Sequence, residues 1–87
     1  MKRVQVNITS NLSNVPNLDE LLQKEFATVG QWKEQGILEH LFVKEAGDGA
    51  VLVFMDIDEV KASELIPTLP LSTYFVNVEY LKVDKQF

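Results

Sequence analysis

From Arg3 to Ile8 the chain alternates with period two, so Val4, Val6 and Ile8 share one face of a strand and Arg3, Gln5 and Asn7 the other. A polar connection runs from Ser10 to Pro16, and the period then changes. Leu18, Leu21, Leu22, Glu25, Val29 and Trp32 recur at three- and four-residue spacing, a mostly apolar stripe with one carboxylate set into it, which Phe26 widens. This predicts a helix from about Leu18 to Gln35. Asn17 reads as its cap and Glu20 as the reciprocal member of a capping box, while Asp19 and Glu20 suit the positive end of the helix dipole. Gly36 ends the helix where left-handed geometry is cheap.

The following segment, Leu38–Lys44 and Ala50–Asp56, reads as two strands joined at Gly47-Asp48-Gly49, since Asp-Gly is a strong hairpin signal. Strict alternation puts Leu38, His40 and Phe42 on one face and Glu39, Leu41 and Val43 on the other; both sets contain apolar residues, so the pattern does not say which faces inward. Asp58 is placed to cap a shorter helix over Glu59 to Ile66, with Val60, Ala62, Leu65 and Ile66 as packing positions and Pro67 and Pro70 stiffening its exit. A last strand runs from Tyr74 to about Lys82. In it Val76, Val78 and Tyr80 are expected under the helices and Phe75, Asn77, Glu79 and Leu81 opposite them, followed by a polar tail expected to reach across a dimer contact.

The order βαββαβ predicts a single α+β domain over residues 1–87. Two interleaved right-handed β-α-β units give a ferredoxin-like four-stranded antiparallel sheet with both helices on one face. The other face mixes apolar and polar groups, as expected of a lined cleft or of a dimeric α+β barrel in which two such sheets face one another. At 87 residues a domain buries only about 60–65% of its unfolded surface, and a homodimer would add burial.

Composition narrows the chemistry. The absence of cysteine removes disulfides, thiolate catalysis and cysteine-zinc sites. The net charge is −5, and the eight basic residues are too scattered to neutralise successive phosphates, which argues against nucleic acid. Apolar runs are too short to cross a bilayer, and polar Asn7, Ser10 and Asn11 come too early for a signal-peptide core, so no membrane association and a cytoplasmic location are expected. One histidine with scattered carboxylates is a poor metal constellation, and Asp56, Asp58 and Glu59 lack calcium-loop spacing; neither a metal nor any other cofactor is expected.

Several segments in order carry a resemblance: a helix ending in Gln35-Gly36, then Ile37-Leu38-Glu39-His40-Leu41-Phe42, then Val51-Leu52-Val53-Phe54-Met55-Asp56, then Leu69-Pro70-Leu71 before Tyr74. From Leu18 to Val78 the chain resembles the muconolactone isomerase family. The resemblance implies a dimeric α+β barrel, assembled into higher oligomers of dimers, whose enzymes shift a double bond within a small unsaturated lactone during aromatic-compound breakdown. By position it carries over the family's histidine to His40, its glycine to Gly36, a helix-one glutamate to Glu25 and the Leu-Pro-Leu segment to Leu69–Leu71. The chain departs at Glu39, where the family has proline, at Phe42, where it has a bulkier aromatic, at Thr28, where it has tyrosine, and at Ser72-Thr73.

Such an isomerisation removes one carbon-bound proton and delivers another while charge builds on a carbonyl oxygen. Glu25 or Glu79 is the candidate base and His40 the group that returns the proton, a role the family match assigns by turning His40 toward the cleft. Arg3, Gln5 or Asn77 would stabilise the oxygen, and Phe42 and Tyr74 would contact a small cyclic or aromatic-derived ligand. Each residue also has a plainer reading. His40 fits an interface histidine satisfied by Glu39, Glu25 a helix-surface residue, and Arg3 with Glu79 a cross-strand ion pair. The alternative function is a non-catalytic barrel that binds a ligand or partner.

Overall fold

The computed structural model describes residues 1–87. Strand β1 spans Lys2–Ser10, helix α1 Leu18–Glu34, strand β2 Leu38–Val43, strand β3 Gly49–Phe54, helix α2 Glu59–Leu65 and strand β4 Phe75–Asp84, with short 3-10 turns at Ile66–Thr68 and Ser72–Tyr74. The strands form one antiparallel sheet in the order β2-β3-β1-β4, the ferredoxin-like arrangement that the element order predicts.

Both helices pack on one face. The period-two residues Val4, Val6 and Ile8 of β1 and Leu52 and Phe54 of β3 meet Val29 and Trp32 of α1 and Ala62 of α2 in one buried cluster. Phe54 and Trp32 lie at its centre, their rings 5.5 Å apart and tilted by 57°, a separation at which edge-to-face aromatic attraction adds to burial. No helix is long and apolar enough to cross a membrane.

The helix ends follow the local chemistry in part. Gly36 has φ +78° and ends α1 in left-handed geometry, and the Asp58 carboxylate accepts the Lys61 N–H at 2.8 Å, capping α2. Asn17 differs. It adopts the left-handed conformation itself, φ 55° and ψ 40°, and its side chain makes no capping bond, so the capping box does not form. Asparagine is among the few residues that tolerate this geometry, and here it turns the chain into α1 by backbone conformation alone.

Two irregularities overturn the expected strand phases. In β2, Leu38 pairs with Phe54 but His40 pairs with Val53, so Glu39 is an extra residue in a β-bulge. Leu38 and Leu41 therefore both face the helices, and His40 and Phe42 face away, instead of Leu38 sharing their side. In β4, the register with β1 shifts at Thr9 and Ser10. Phe75 consequently packs against the core and Val76 is exposed, the reverse of the alternation expected there. Val60, an expected packing position in α2, is 63% exposed. The polar tail is fastened within its own chain: the Lys85 N–H donates to the Met1 carbonyl at 2.6 Å, and the Met1 amino group donates to Asp84 at 2.7 Å.

Candidate functional site

One concavity sets a carboxyl of raised pKa among mostly apolar walls. It lies between the N-terminal half of α1, the β1–β3 end of the sheet and the Leu69–Leu71 segment, with a volume of about 90 Å³. Leu22, Glu25, Phe26 and Val29 lie at positions i, i+3, i+4 and i+7 of α1 and form one wall; Ile8, Leu52 and Phe75 lie across from them. The buried part of the α1 stripe is limited to Val29 and Trp32. Leu22 is half-buried and Phe26 is 51% exposed, so the first turns of the helix overhang the cleft instead of sealing it.

Glu25 is half-buried in this wall, and its Oε1 accepts the backbone N–H of Leu71 at 3.0 Å. Burial raises its pKa above the ordinary 4.5, and the Leu71 hydrogen bond only partly opposes that. Ser10 also lines the cleft and is 8% exposed. Its hydroxyl makes no hydrogen bond to the protein. Since no solvent-sealed side-chain polar atom lacks a partner, that hydroxyl keeps contact with solvent.

The remaining candidates lie elsewhere. Arg3, Gln5, His40, Phe42, Asn77 and Glu79 belong to the sheet face away from the helices. His40 is half-exposed there, its Nε2 3.8 Å from the Glu39 carboxylate and its ring 5.8 Å from that of Phe42. Gln5 donates to Asn7 at 3.0 Å. Glu79 is paired in register with Asn7 on β1, while His40 is on the opposite edge strand, three strand spacings or about 14 Å away. Tyr74 sits in the short turn before β4, half-buried, its carbonyl accepting the Asn11 N–H at 3.0 Å. The three candidate proton-transfer groups, His40, Glu25 and Glu79, are thus not brought together within one chain.

Arg3 does not pair with Glu79. Its Nε and Nη2 donate to the two oxygens of Glu39 at 3.0 and 3.2 Å, and Lys85 Nζ donates to the same carboxylate at 2.9 Å. These two cations hold the Glu39 pKa down to about 2. The bulge makes this possible by giving β2 an extra residue that can turn toward Arg3. No three metal-ligating side chains converge anywhere in the chain.

Ser10 and the Leu71 N–H are site groups missed by sequence reasoning, and Glu39, read there only as a partner for His40, proves to be the acceptor for Arg3 and Lys85. Ser10 was legible, because it continues the inward phase of Val4, Val6 and Ile8 by one more step. The other two depend on tertiary approach and leave no local signal. In comparisons with known proteins, the chain matches no protein-family model and no curated protein.

Proposed function

We propose that the protein is a muconolactone isomerase-like enzyme that moves a double bond in an unsaturated lactone or related cyclic compound, with Glu25 as the proton carrier. The observation that carries this reading is a half-buried carboxyl of raised pKa in an otherwise apolar cleft, the combination expected of a general base tuned for neutral pH. Glu25 removes a proton from the γ carbon of the α,β-unsaturated lactone. The electron pair is delocalised through the double bond onto the carbonyl oxygen as a dienolate, and the conjugate acid of Glu25 returns the proton at the α carbon, which leaves the double bond between the β and γ carbons. The Ser10 hydroxyl is available to donate to the oxygen on which charge builds.

The reading includes a homodimer formed through the open sheet face, where Phe42, Leu81 and Val83 are exposed beside Arg3, Gln5 and Asn7. A second reading puts the chemistry on that face. It is favoured by one observation, that His40 has a carboxylate, Glu39, 3.8 Å away, and a facing sheet in a dimer would enclose both.

Turnover of a panel of small unsaturated lactones separates the readings. Glu25→Gln keeps the Leu71 hydrogen bond but cannot take a proton, and is expected to lower turnover by about 10²–10⁴-fold, with His40→Gln close to wild type. Loss of activity in H40Q with retention in E25Q would move the site to the open face. Ligand binding without turnover by the wild type would favour the non-catalytic barrel.

A further inference from the structure

We propose that the hairpin turn at Asp48-Gly49 modifies itself: the chain closes a succinimide there and reopens it to isoaspartate, which makes this turn a substrate for enzymes that methylate isoaspartyl carboxylates. The proposal does not depend on the function read into the cleft. Asp48 alone among the Asp and Asn residues precedes a glycine; the others are followed by Ile, Leu, Val, Glu or Lys. A neighbour without a side chain leaves its amide nitrogen open to the preceding carboxyl. Residues 45–48 are all exposed, and Asp48 enters none of the chain's ion pairs, so its carboxyl is free to rotate. Across the turn the Lys44 carbonyl accepts the Gly47 N–H at 2.8 Å and not that of Gly49, which leaves the Gly49 nitrogen unclaimed on that side. The Asp48 carbonyl is held by the Ser10 N–H at 2.7 Å and the Gly49 carbonyl by the Lys44 N–H at 2.9 Å. With no buried side chain at the tip, opening these bonds needs far less than global unfolding.

The Gly49 nitrogen attacks Cγ of the Asp48 carboxyl in its protonated form. A C–N bond forms, and the carboxyl hydroxyl leaves with the amide proton as water. Water then adds to one of the two ring carbonyls. Addition at Cγ restores aspartate. Addition at the main-chain carbonyl breaks that carbon's bond to the Gly49 nitrogen and leaves isoaspartate, whose chain runs on through Cβ and Cγ. The oxygen that accepts the Ser10 N–H then belongs to a free carboxylate, and β3 is joined to the turn through an additional backbone atom. Ser10, Gly47 and Gly49 all line the cleft that holds Glu25. The modification therefore shifts the wall opposite α1 by loosening the bond that ties the end of β1 to the turn.

The full-length protein as wild type, Asp48→Glu and Asp48→Asn is held folded in warm neutral buffer for several weeks. Each is then cleaved after lysine, and the fragments are treated with an isoaspartyl carboxyl methyltransferase and labelled S-adenosylmethionine, against an unaged sample of the same protein. Label should accumulate in the wild-type fragment 45–61 alone, the one that contains Asp48. It should be lost in D48E, which keeps the charge but must close a larger ring, and should rise in D48N, because ammonia leaves more readily than water. Both substitutions fall on an exposed turn position and should leave the melting temperature close to that of the wild type. In aged wild type the Ser10 amide signal should split, the new component growing in step with the label. Equal label in D48E and wild type, label concentrated in another fragment, no rise in D48N, or label formed only in protein kept unfolded in urea would each overturn the proposal.

Discussion

Glu25 and Glu39 are two carboxylates whose surroundings push them in opposite directions. Burial among Leu22, Phe26 and Leu71 raises the pKa of Glu25, whereas hydrogen bonds from Arg3 and Lys85 hold Glu39 at about 2. Their effects on stability therefore have opposite signs. Glu39 contributes stability that is present above its unfolded pKa near 4.5 and is lost as pH falls toward about 2. Glu25 protonates more readily folded than unfolded, so its contribution is full below 4.5 and is lost as pH rises through its raised value. Melting temperatures recorded through the acid range should show the wild type losing stability between pH 4.5 and about 2, with a shallower loss in Glu39→Gln. An identical slope in E39Q would show that the Arg3 and Lys85 contacts do not survive in solution. Neither assignment could be read from alternation. Glu25 is visible in the sequence as a carboxylate inside an apolar stripe, but its value as a base depends on Leu71, forty-six residues away.

At the scale of elements, two glycines separate conformational demand from steric demand. Gly36 needs a positive φ, and nothing lies within 4 Å of the Cβ it lacks, so Gly36→Val should cost on the order of 1–2 kcal/mol through backbone conformation alone. Gly49 opens β3 at the cleft, and a Cβ there would overlap the Ile8 carbonyl oxygen of the neighbouring strand. Relief requires parting β1 from β3, so Gly49→Ala should be the more damaging of the two, at about 3 kcal/mol or above. Chemical denaturation of both variants checks the order, and a milder effect for G49A would place β3 in another register. The hairpin containing Gly49, both helices and all four strands were legible because each carries its own period or turn signal. The bulges were not. An extra residue at Glu39 leaves the composition of β2 unchanged, yet it decides that His40 faces away from the helices and Leu41 toward them. Likewise the register shift at Thr9 and Ser10 exchanges Phe75 and Val76, and only the pairing of two strands distant in sequence reveals it.

For the whole molecule, the unequal sheet faces matter most. One face is covered by both helices, while the other carries Phe42 at 57% and Leu81 at 40% exposure around a buried Arg3. An obligate dimer through that face is expected to leave no monomer at low micromolar concentration in sedimentation, since interfaces of this kind bury on the order of 2,000 Å² or more. A folded monomer under those conditions would leave the open face without its proposed partner. The catalytic proposal is independent of that outcome, because Glu25 lies on the helix side. Its most direct test is to incubate a small unsaturated lactone with the protein in deuterium oxide and read deuterium at the ring carbons by NMR. Wild type should wash deuterium into the carbons that exchange the proton and E25Q should not; equal incorporation by the two proteins would contradict the assignment of Glu25 as the proton carrier.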